Sequence, residues 1–429
     1  MLSSAIGCTA TGPLILPRFL RTAVARAQVL NRPRRTIPAV VMGLSATGIA
    51  LARSLGRKGI RVVGVSSDTN PPSSHSRLFE FRRGPLLRDA DFALDFYREL
   101  GAELGNRPVI LPTGDPAVLF LSSFREELEP SFRLFVPPRE EVERVASKRD
   151  FAQLAVEQGL PMPRTILPND RLELEDLAEV IRFPCVVKPE YTHLWRTPEA
   201  RQAGLATAKA LPVADRKTLM EIYDALAPID PRLVVQELVE GPDENHYEYH
   251  VLIDLEGNLR AEFAGRKLRL APPHFGMGTY AESVALEEVG GIGRSIFDRV
   301  GYRGMGHVDL KRDARDGRLY LFELNPRFSV WTGLDIACGI DFPYYYYLTC
   351  IGEGYEAPSS YPIGKRWLNF ETDRVSLRTY IREGTLSRRR WLMSLARATV
   401  WSLFALDDPM PSWVSFRRWV RHHVLARRR

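Results

Sequence analysis

From residue 37 the apolar positions change spacing three times within about one turn of fold. Ala39-Val40-Val41-Met42 is an unbroken apolar run, Gly43-Leu44-Ser45-Ala46-Thr47-Gly48 is a glycine turn, a helical spacing continues through Leu55, and Val62-Val63-Gly64-Val65 is apolar again. Strand, turn, helix and strand in that order predict a βαβ unit, because only a crossover helix returns the chain to a parallel neighbour. Val109-Ile110-Leu111-Pro112-Thr113-Gly114 and Leu134-Phe135-Val136-Pro137 read as two further buried strands, each followed by a turn. Residues 37–145 are therefore predicted to form an open α/β sheet domain.

A polar helical pattern fills 139–158, and Gly159 with Pro161 and Pro163 ends it. Phe183-Pro184-Cys185-Val186-Val187-Lys188-Pro189 then predicts a strand that leaves a lysine at its end. The polar segment 190–215 carries few strand signals and reads as a loop over a site. Strands are predicted again at 233–236, 247–253, 259–263, 307–311 and 319–323, with hairpin turns at 255–258 and 315–317. No internal repeat interrupts this order.

Composition narrows the class without changing the plan. The 429 residues, 45% hydrophobic and 26% charged, suit two or three globular domains, and 20 Phe, 15 Tyr and 7 Trp exclude a disordered chain. Four cysteines without zinc-like spacing point to a reducing, cytoplasmic setting. The net charge of +7 is unevenly spread. Residues 1–36 carry six arginines and no acid, and 382–429 carry eleven arginines against Glu383, Asp407 and Asp408, so the ends hold +6 and +8 and the middle about −7. The longest apolar stretch, 391–406, is broken by Arg397, so no spanning helix is expected. Residues 1–36 lack the order of a signal peptide and read as a basic, mobile or surface-lying extension.

Two places offer chemistry. The turn 43–48 could hold a phosphate at a helix N-terminus, but Ser45 fills the middle glycine position of a dinucleotide fingerprint, which leaves a packing turn as the favoured reading. A dehydrogenase is disfavoured for the same reason. The second place is acidic. Asp309 lies in His307-Val308-Asp309-Leu310-Lys311, and Glu323 and Asn325 lie in Leu321-Phe322-Glu323-Leu324-Asn325-Pro326-Arg327. Period two puts Glu323 and Asn325 on one strand face, and the Asp316-Gly317 hairpin brings Asp309 alongside. Two carboxylates and an amide oxygen suit magnesium, which keeps water and substrate phosphates as its other ligands. Lys148, Lys188 and Lys267 around such a pair invite a triphosphate.

These pieces, in this order, resemble the ATP-grasp superfamily: helix Lys148, strand-end Lys188, Val235-Gln236-Glu237-Leu238-Val239-Glu240-Gly241-Pro242-Asp243, Gly265-Arg266-Lys267, Asp309, and Glu323-Leu324-Asn325-Pro326-Arg327. Within it the pattern resembles the carboxylate–amine ligases of the D-aspartate ligase type. The resemblance implies an α/β chain, an ATP-grasp fold preceded by an open parallel-sheet domain, divided as 1–36, 37–145, 146–355 and a basic, Trp-containing helical extension 356–429. It implies ATP and magnesium, with manganese able to replace it, and small carboxylate and amine substrates, but no nucleic acid.

Position by position, the resemblance makes Lys148 and Lys188 phosphate ligands and 190–215 the closing loop. Gln236, Glu237 and Val239 become the adenine hinge, and Asp243, with Glu244 as second candidate, the ribose acceptor. Lys267 becomes the γ-phosphate contact, Asp309, Glu323 and Asn325 the magnesium ligands, and Arg327 the cation beside an acyl phosphate. His307 stands where D-alanine ligases carry a catalytic arginine, so that role is expected to pass to Arg327, to Arg266, or to be weaker.

The function that follows is joining of a carboxylate to an amine through an acyl phosphate, with release of ADP and phosphate. The alternatives are a carboxylase or carbamoyl-phosphate-type activity on the same scaffold, or a nucleotide-binding regulatory protein without turnover. His193, His246, His250, His274 and His307 read as single structural histidines. Candidate substrate walls are His193, Trp195, Arg196, the stretch 274–280 and Trp331. In the tail, Trp413, Phe416, Val420 and Val424 recur at helical spacing beside Arg417, Arg418 and Arg421. That face either docks on the protein's own core or rests on an anionic membrane, as a peripheral contact of a cytoplasmic protein.

Overall fold

The computed structural model describes residues 36–191, 194–202, 205 and 209–421. The amino-terminal extension up to residue 35, His193, Val424 and Arg427 to Arg429 lie outside the described residues. Strands β1 (Ala39–Met42), β2 (Val62–Ser66), β3 (Glu80–Arg83) and β4 (Val109–Pro112) form a parallel sheet in the order β3-β2-β1-β4. The helix Ala46–Arg57 makes the crossover between β1 and β2. Leu134 to Pro137 do not join as a strand. A single bridge, Val109 to Arg133, is all that forms, because Pro137 and Pro138 follow and offer no N–H to a ladder.

Gly43 has φ +95°, and a Cβ on Gly48 would lie 1.8 Å from the Gly43 carbonyl oxygen. Both glycines are therefore needed for strand and helix to meet, which is a packing requirement. Added NAD(H) should leave the melting temperature unchanged. A clear upward shift would assign the turn to a dinucleotide.

Residues 139–158 form two helices, Arg139–Ala146 and Lys148–Glu157, where one was expected. Ser147 sits between them in extended conformation, and its Oγ accepts from the Asp150 N–H, so an N-cap residue restarts the helix. The break places Lys148 on the first turn, where its N–H donates to the Glu190 carbonyl at 3.2 Å. That bond ties Lys148 to the end of the strand carrying Lys188.

A second sheet contains β5 (Thr165–Ile166), β6 (Cys185–Lys188), β7 (Leu211–Val213) and β8 (Val234–Glu237), antiparallel in the order β5-β8-β6-β7. β7 and two short helices, Leu194–Arg196 and Pro198–Gln202, occupy the segment read as a loop. The third sheet has seven strands: β9 (His246–Ile253), β10 (Leu259–Ala271), β11 (Met277–Ser283), β12 (Gly304–Arg312), β13 (Leu319–Asn325), β14 (Arg366–Leu368) and β15 (Val400–Trp401). Their order is β13-β12-β9-β10-β11-β14-β15.

Alternation divides the large sheet by chemistry. Tyr249, Val251, Ile253, Val308, Leu310 and Leu324 form a buried cluster with Phe151, Leu154, Ile296 and Phe297 of the covering helices. Their neighbours in sequence face the other way and, Leu252 apart, those within the strands are polar. A separate cluster joins β1 and β4 to Phe328, Trp331, Tyr346 and Trp367, so the first domain and the large sheet share one core.

The carboxyl-terminal extension is more than helical. β14 and β15 lengthen the large sheet, Trp367 and Trp391 are buried, and Trp391 Nε1 donates to Asp373 at 2.7 Å. Asp408 is buried and accepts from Arg53 Nε at 2.9 Å and Ser76 Oγ at 2.6 Å. Asp408→Ala would strand the buried Arg53 guanidinium, and a broken buried pair costs about 3–5 kcal/mol. Chemical denaturation should show that loss. An unchanged midpoint would mean that the extension does not hold the first domain in place.

Candidate active site

The large and small sheets face each other across a cleft. Its lining follows from register. Asp309 on β12 lies opposite Glu323 on β13 and opposite Glu248 on β9, while His307 lies opposite Asn325 and His250. One face of three adjacent strands thus carries His246, Glu248 and His250, then His307, Asp309 and Lys311, then Glu323 and Asn325. Lys188 and Gln236 come from the small sheet, Lys148 from the helix behind it, and Lys209 from the segment before β7. Val186, Leu238, Val239 and Phe322 give the cleft an apolar part that suits a flat ring, next to its lysines.

Each charge in the cleft is set by its neighbours. Lys188 Nζ donates to Gln236 Oε1 at 2.6 Å and lies 4.9 Å from the Phe322 ring centroid. Burial lowers its pKa to about 8, against the pull of Glu323. Gln236 is held in turn by donating to Thr165 Oγ1 at 2.9 Å. Glu323 would be raised by burial, but Lys209 and Lys148 outweigh that and keep it well below the usual carboxylate range. Asp309 moves the other way. Burial, aided by Glu248 and Glu323, pushes it up to about 7 even though Lys267 is its ion-pair partner.

Lys267 is buried, pairs with Asp309, and lies 3.1 Å from Glu248. Burial disfavours its charge, but Asp309 and Glu248 prevail and raise its pKa. Glu248 also accepts from Ser329 Oγ at 2.6 Å and faces His250 Nε2 at 3.0 Å. His250 Nδ1 lies 3.0 Å from Asp335. Burial alone would strip the His250 proton, yet Asp335 and Glu248 hold it to about 10, so the ring is an imidazolium between two carboxylates. Lys267, Glu248, His250 and Asp335 make a buried chain of alternating charge beneath the cleft.

His307 is different. Its Nδ1 is 3.0 Å from the Arg327 carbonyl, which can only accept, so Nδ1 carries the hydrogen. Burial lowers its pKa to about 3, and the ring is neutral. Arg327 supplies the cation at this end of the cleft: it pairs with Asp115 of the first domain, donates to Asn325 Oδ1 at 2.9 Å, and is kept charged against burial by Asp115.

Most of the residues singled out from the sequence converge here: Lys148, Lys188, Gln236, Glu237, Val239, Lys267, Asp309 and Glu323 all line the cleft. Asn325 is one hydrogen bond away, donating through Nδ2 to Asp309 at 3.3 Å. Five residues are placed otherwise. Arg266 neighbours Lys267 on a strand and so points to the opposite face, where it pairs with Glu282. Asp243 is buried below the cleft wall, with Tyr380 Oη donating to it at 2.6 Å and the His274 N–H at 3.2 Å, while Glu244 is exposed outside. Trp331 packs beneath Gly265 and Trp195 in the core of the small sheet, so neither forms a wall, whereas His274, Phe275 and Gly276 do. The Arg196 side chain lies outside what is described.

Glu248, His246, Lys311, Lys209 and Asp115 were missed. The polar period of two in His246-Tyr247-Glu248-Tyr249-His250 was the available signal for the first pair; Lys209 had none.

The cleft fits magnesium bound to a polyphosphate. An ionised Glu323 opposite Asp309 is an all-oxygen donor pair, and four lysines around it match the charge of phosphates. Asn325 fits less directly, since its amide oxygen already accepts from Arg327.

No protein-family model matches the chain. It is 22% identical over 320 residues to the D-aspartate ligase of Enterococcus faecium, across 70% of this chain and 74% of that protein. It is 26% identical over 180 residues to the D-alanine–D-alanine ligase of Chromohalobacter salexigens, spanning about half of that enzyme (52%) and 40% of this chain. The solved N5-carboxyaminoimidazole synthetase of Staphylococcus aureus, complexed with ADP, superposes with a TM-score of 0.60 at 14% identity, over 82% of this chain and 87% of that one. The fold is thus ATP-grasp preceded by a parallel-sheet domain. The chain carries this fold, and its sequence resembles the carboxylate–amine ligases of the D-aspartate ligase type.

Proposed function

We propose that this chain uses ATP to join a carboxylate to an amine through an acyl phosphate. The observation that carries the reading is the single cleft in which Lys148, Lys188, Lys209 and Lys267 surround Asp309 and Glu323, with Arg327 at the domain junction. The γ-phosphoryl group passes to a carboxylate oxygen as its bond to ADP breaks. The amine nitrogen then attacks the acyl carbon, the carbon–oxygen bond to phosphate breaks, and the amine's extra proton leaves to solvent.

Bringing a carboxylate to a triphosphate puts anion against anion, and the lysines lower that barrier by neutralising charge in place. Magnesium, held by Glu323 and Asp309 with Asn325 beside them, would draw charge from the phosphate oxygens. Lys148 and Lys188 bind the phosphates, and Lys267 acts at the γ-phosphate. Gln236, the Glu237 carbonyl and the Val239 N–H hold the base. Arg327 faces the forming acyl phosphate. Neutral His307 adds no cation there, and Arg266 lies on the far face, so Arg327 bears the role alone.

The test is ADP release screened over carboxylate and amine pairs. Release that requires both partners supports the reading. Release with bicarbonate and no amine would favour a carboxylase, and tight ATP binding without release under any pair would favour a regulatory protein.

A further inference from the structure

The helix Met410–Val420 is amphipathic in the reverse sense of an ordinary surface helix. Its less exposed side is made of small residues, Pro411, Ser412, Val414 and Ser415, with Ser415 Oγ donating to Glu371. Its aromatic residues face out: Trp413 and Phe416 are each 53% exposed and Trp419 is 39% exposed. Their rings form one strip, with centroids 6.0 Å apart for Trp413 and Phe416 and 6.3 Å for Phe416 and Trp419. Phe404, Leu406 and Met410, shortly before and at the start of the helix, are exposed as well, Leu406 at 88%.

Charge completes the pattern. Arg417, Arg418 and Arg421 are exposed beside the strip, and the Arg374 guanidinium lies 5.5 Å from the Trp419 ring. Each acid of the extension beyond residue 382 has a cationic or histidine partner: the buried Asp408 pairs with Arg53 at 2.9 Å, and the more exposed Asp407 and Glu383 pair with Arg57 at 2.8 Å and His274 at 3.2 Å. Asp407 and Asp408 thus tie the extension to the first domain, while the aromatics and arginines of its last helix face outward.

We propose that this face docks the protein on an anionic lipid surface, with the rings at the acyl boundary and the arginines among the head groups. A bilayer supplies both an apolar phase and negative charge at the spacing of one helix side. A second copy of the chain would set arginines against arginines. Residues 1–35 carry six arginines and no acid, so they do not complement the face either. A single helix of 11 residues makes the contact reversible and sensitive to salt.

The experiment is co-sedimentation of the full chain with vesicles of phosphatidylcholine alone or mixed with phosphatidylglycerol, at low and high salt. Binding is expected to the mixed vesicles at low salt only. Replacing the aromatics together (Trp413→Ser, Phe416→Ser, Trp419→Ser) or the arginines together (Arg417→Glu, Arg418→Glu, Arg421→Glu) should each weaken it roughly tenfold or more, with the melting temperature retained. Acyl-chain-brominated lipid should quench tryptophan fluorescence of the unaltered protein, which serves if a variant does not fold. Absent binding, equal binding to neutral vesicles, undiminished binding of both variants, or no quenching would overturn the proposal. So would a dimer that the aromatic replacements dissolve in a protein that ignores vesicles.

Discussion

Glu323→Gln should abolish magnesium-dependent ADP formation while leaving the fold intact. Glu323 faces Asp309 across the β12–β13 ladder and is held ionised by Lys209 and Lys148 against burial. Glutamine keeps the shape and removes the charge. Lys148 and Lys209 would then lose the carboxylate whose charge they hold, and Asp309 would be left without its ionised partner across the ladder. A metal that loses this ligand forfeits several kcal/mol of charge stabilisation, so turnover should fall about 10³-fold. A coupled ADP assay over a magnesium titration measures it, with a melting curve as control. Turnover like that of the unaltered protein would remove Glu323 from the metal site.

Lys188→Ala should have the largest effect on nucleotide affinity. The ammonium is aimed by Gln236 and Phe322 and sits in a partly buried cleft, where a charge-assisted bond to phosphate is worth about 1.5–3 kcal/mol. Calorimetry should show ATP binding weakened by roughly ten- to a hundredfold. The pH dependence has a definite sign. Burial lowers the Lys188 pKa to about 8, so the cation is present below that value and lost above it. ATP affinity of the unaltered protein should therefore decline as pH rises through 8, and the variant should lose that decline. Unchanged affinity at neutral pH would contradict the assignment.

The parts of the site legible in sequence are those where a local rule fixes direction. Period two and an Asp-Gly turn bring Asp309, Glu323 and Asn325 together without knowledge of the rest of the sheet. The same rule should have excluded Arg266 once Lys267 was assigned, because consecutive strand residues cannot share a face. His246 and Glu248 carried that period too, but β9 meets β12 across some 50 residues of chain, and no local signal names its partner. Asp115 is harder still. Its bond to Arg327 joins two domains, and nothing near either residue announces it. β14 and β15 were missed because strands of three and two residues carry too little alternation to register. The tail's aromatic spacing was visible, but which side of that helix meets the core depends on where Asp407 and Asp408 find their arginines.

The account stands most directly on whether a carboxylate oxygen receives the phosphoryl group. For a pair that releases ADP in the screen, the carboxylate is supplied with both oxygens as oxygen-18, and the released phosphate is analysed by mass spectrometry. Transfer of a single labelled oxygen to each phosphate is the predicted result, since the acyl carbon–oxygen bond breaks after phosphorylation. Phosphate released with no label would contradict it, because the phosphoryl group would then have passed to water or to another acceptor.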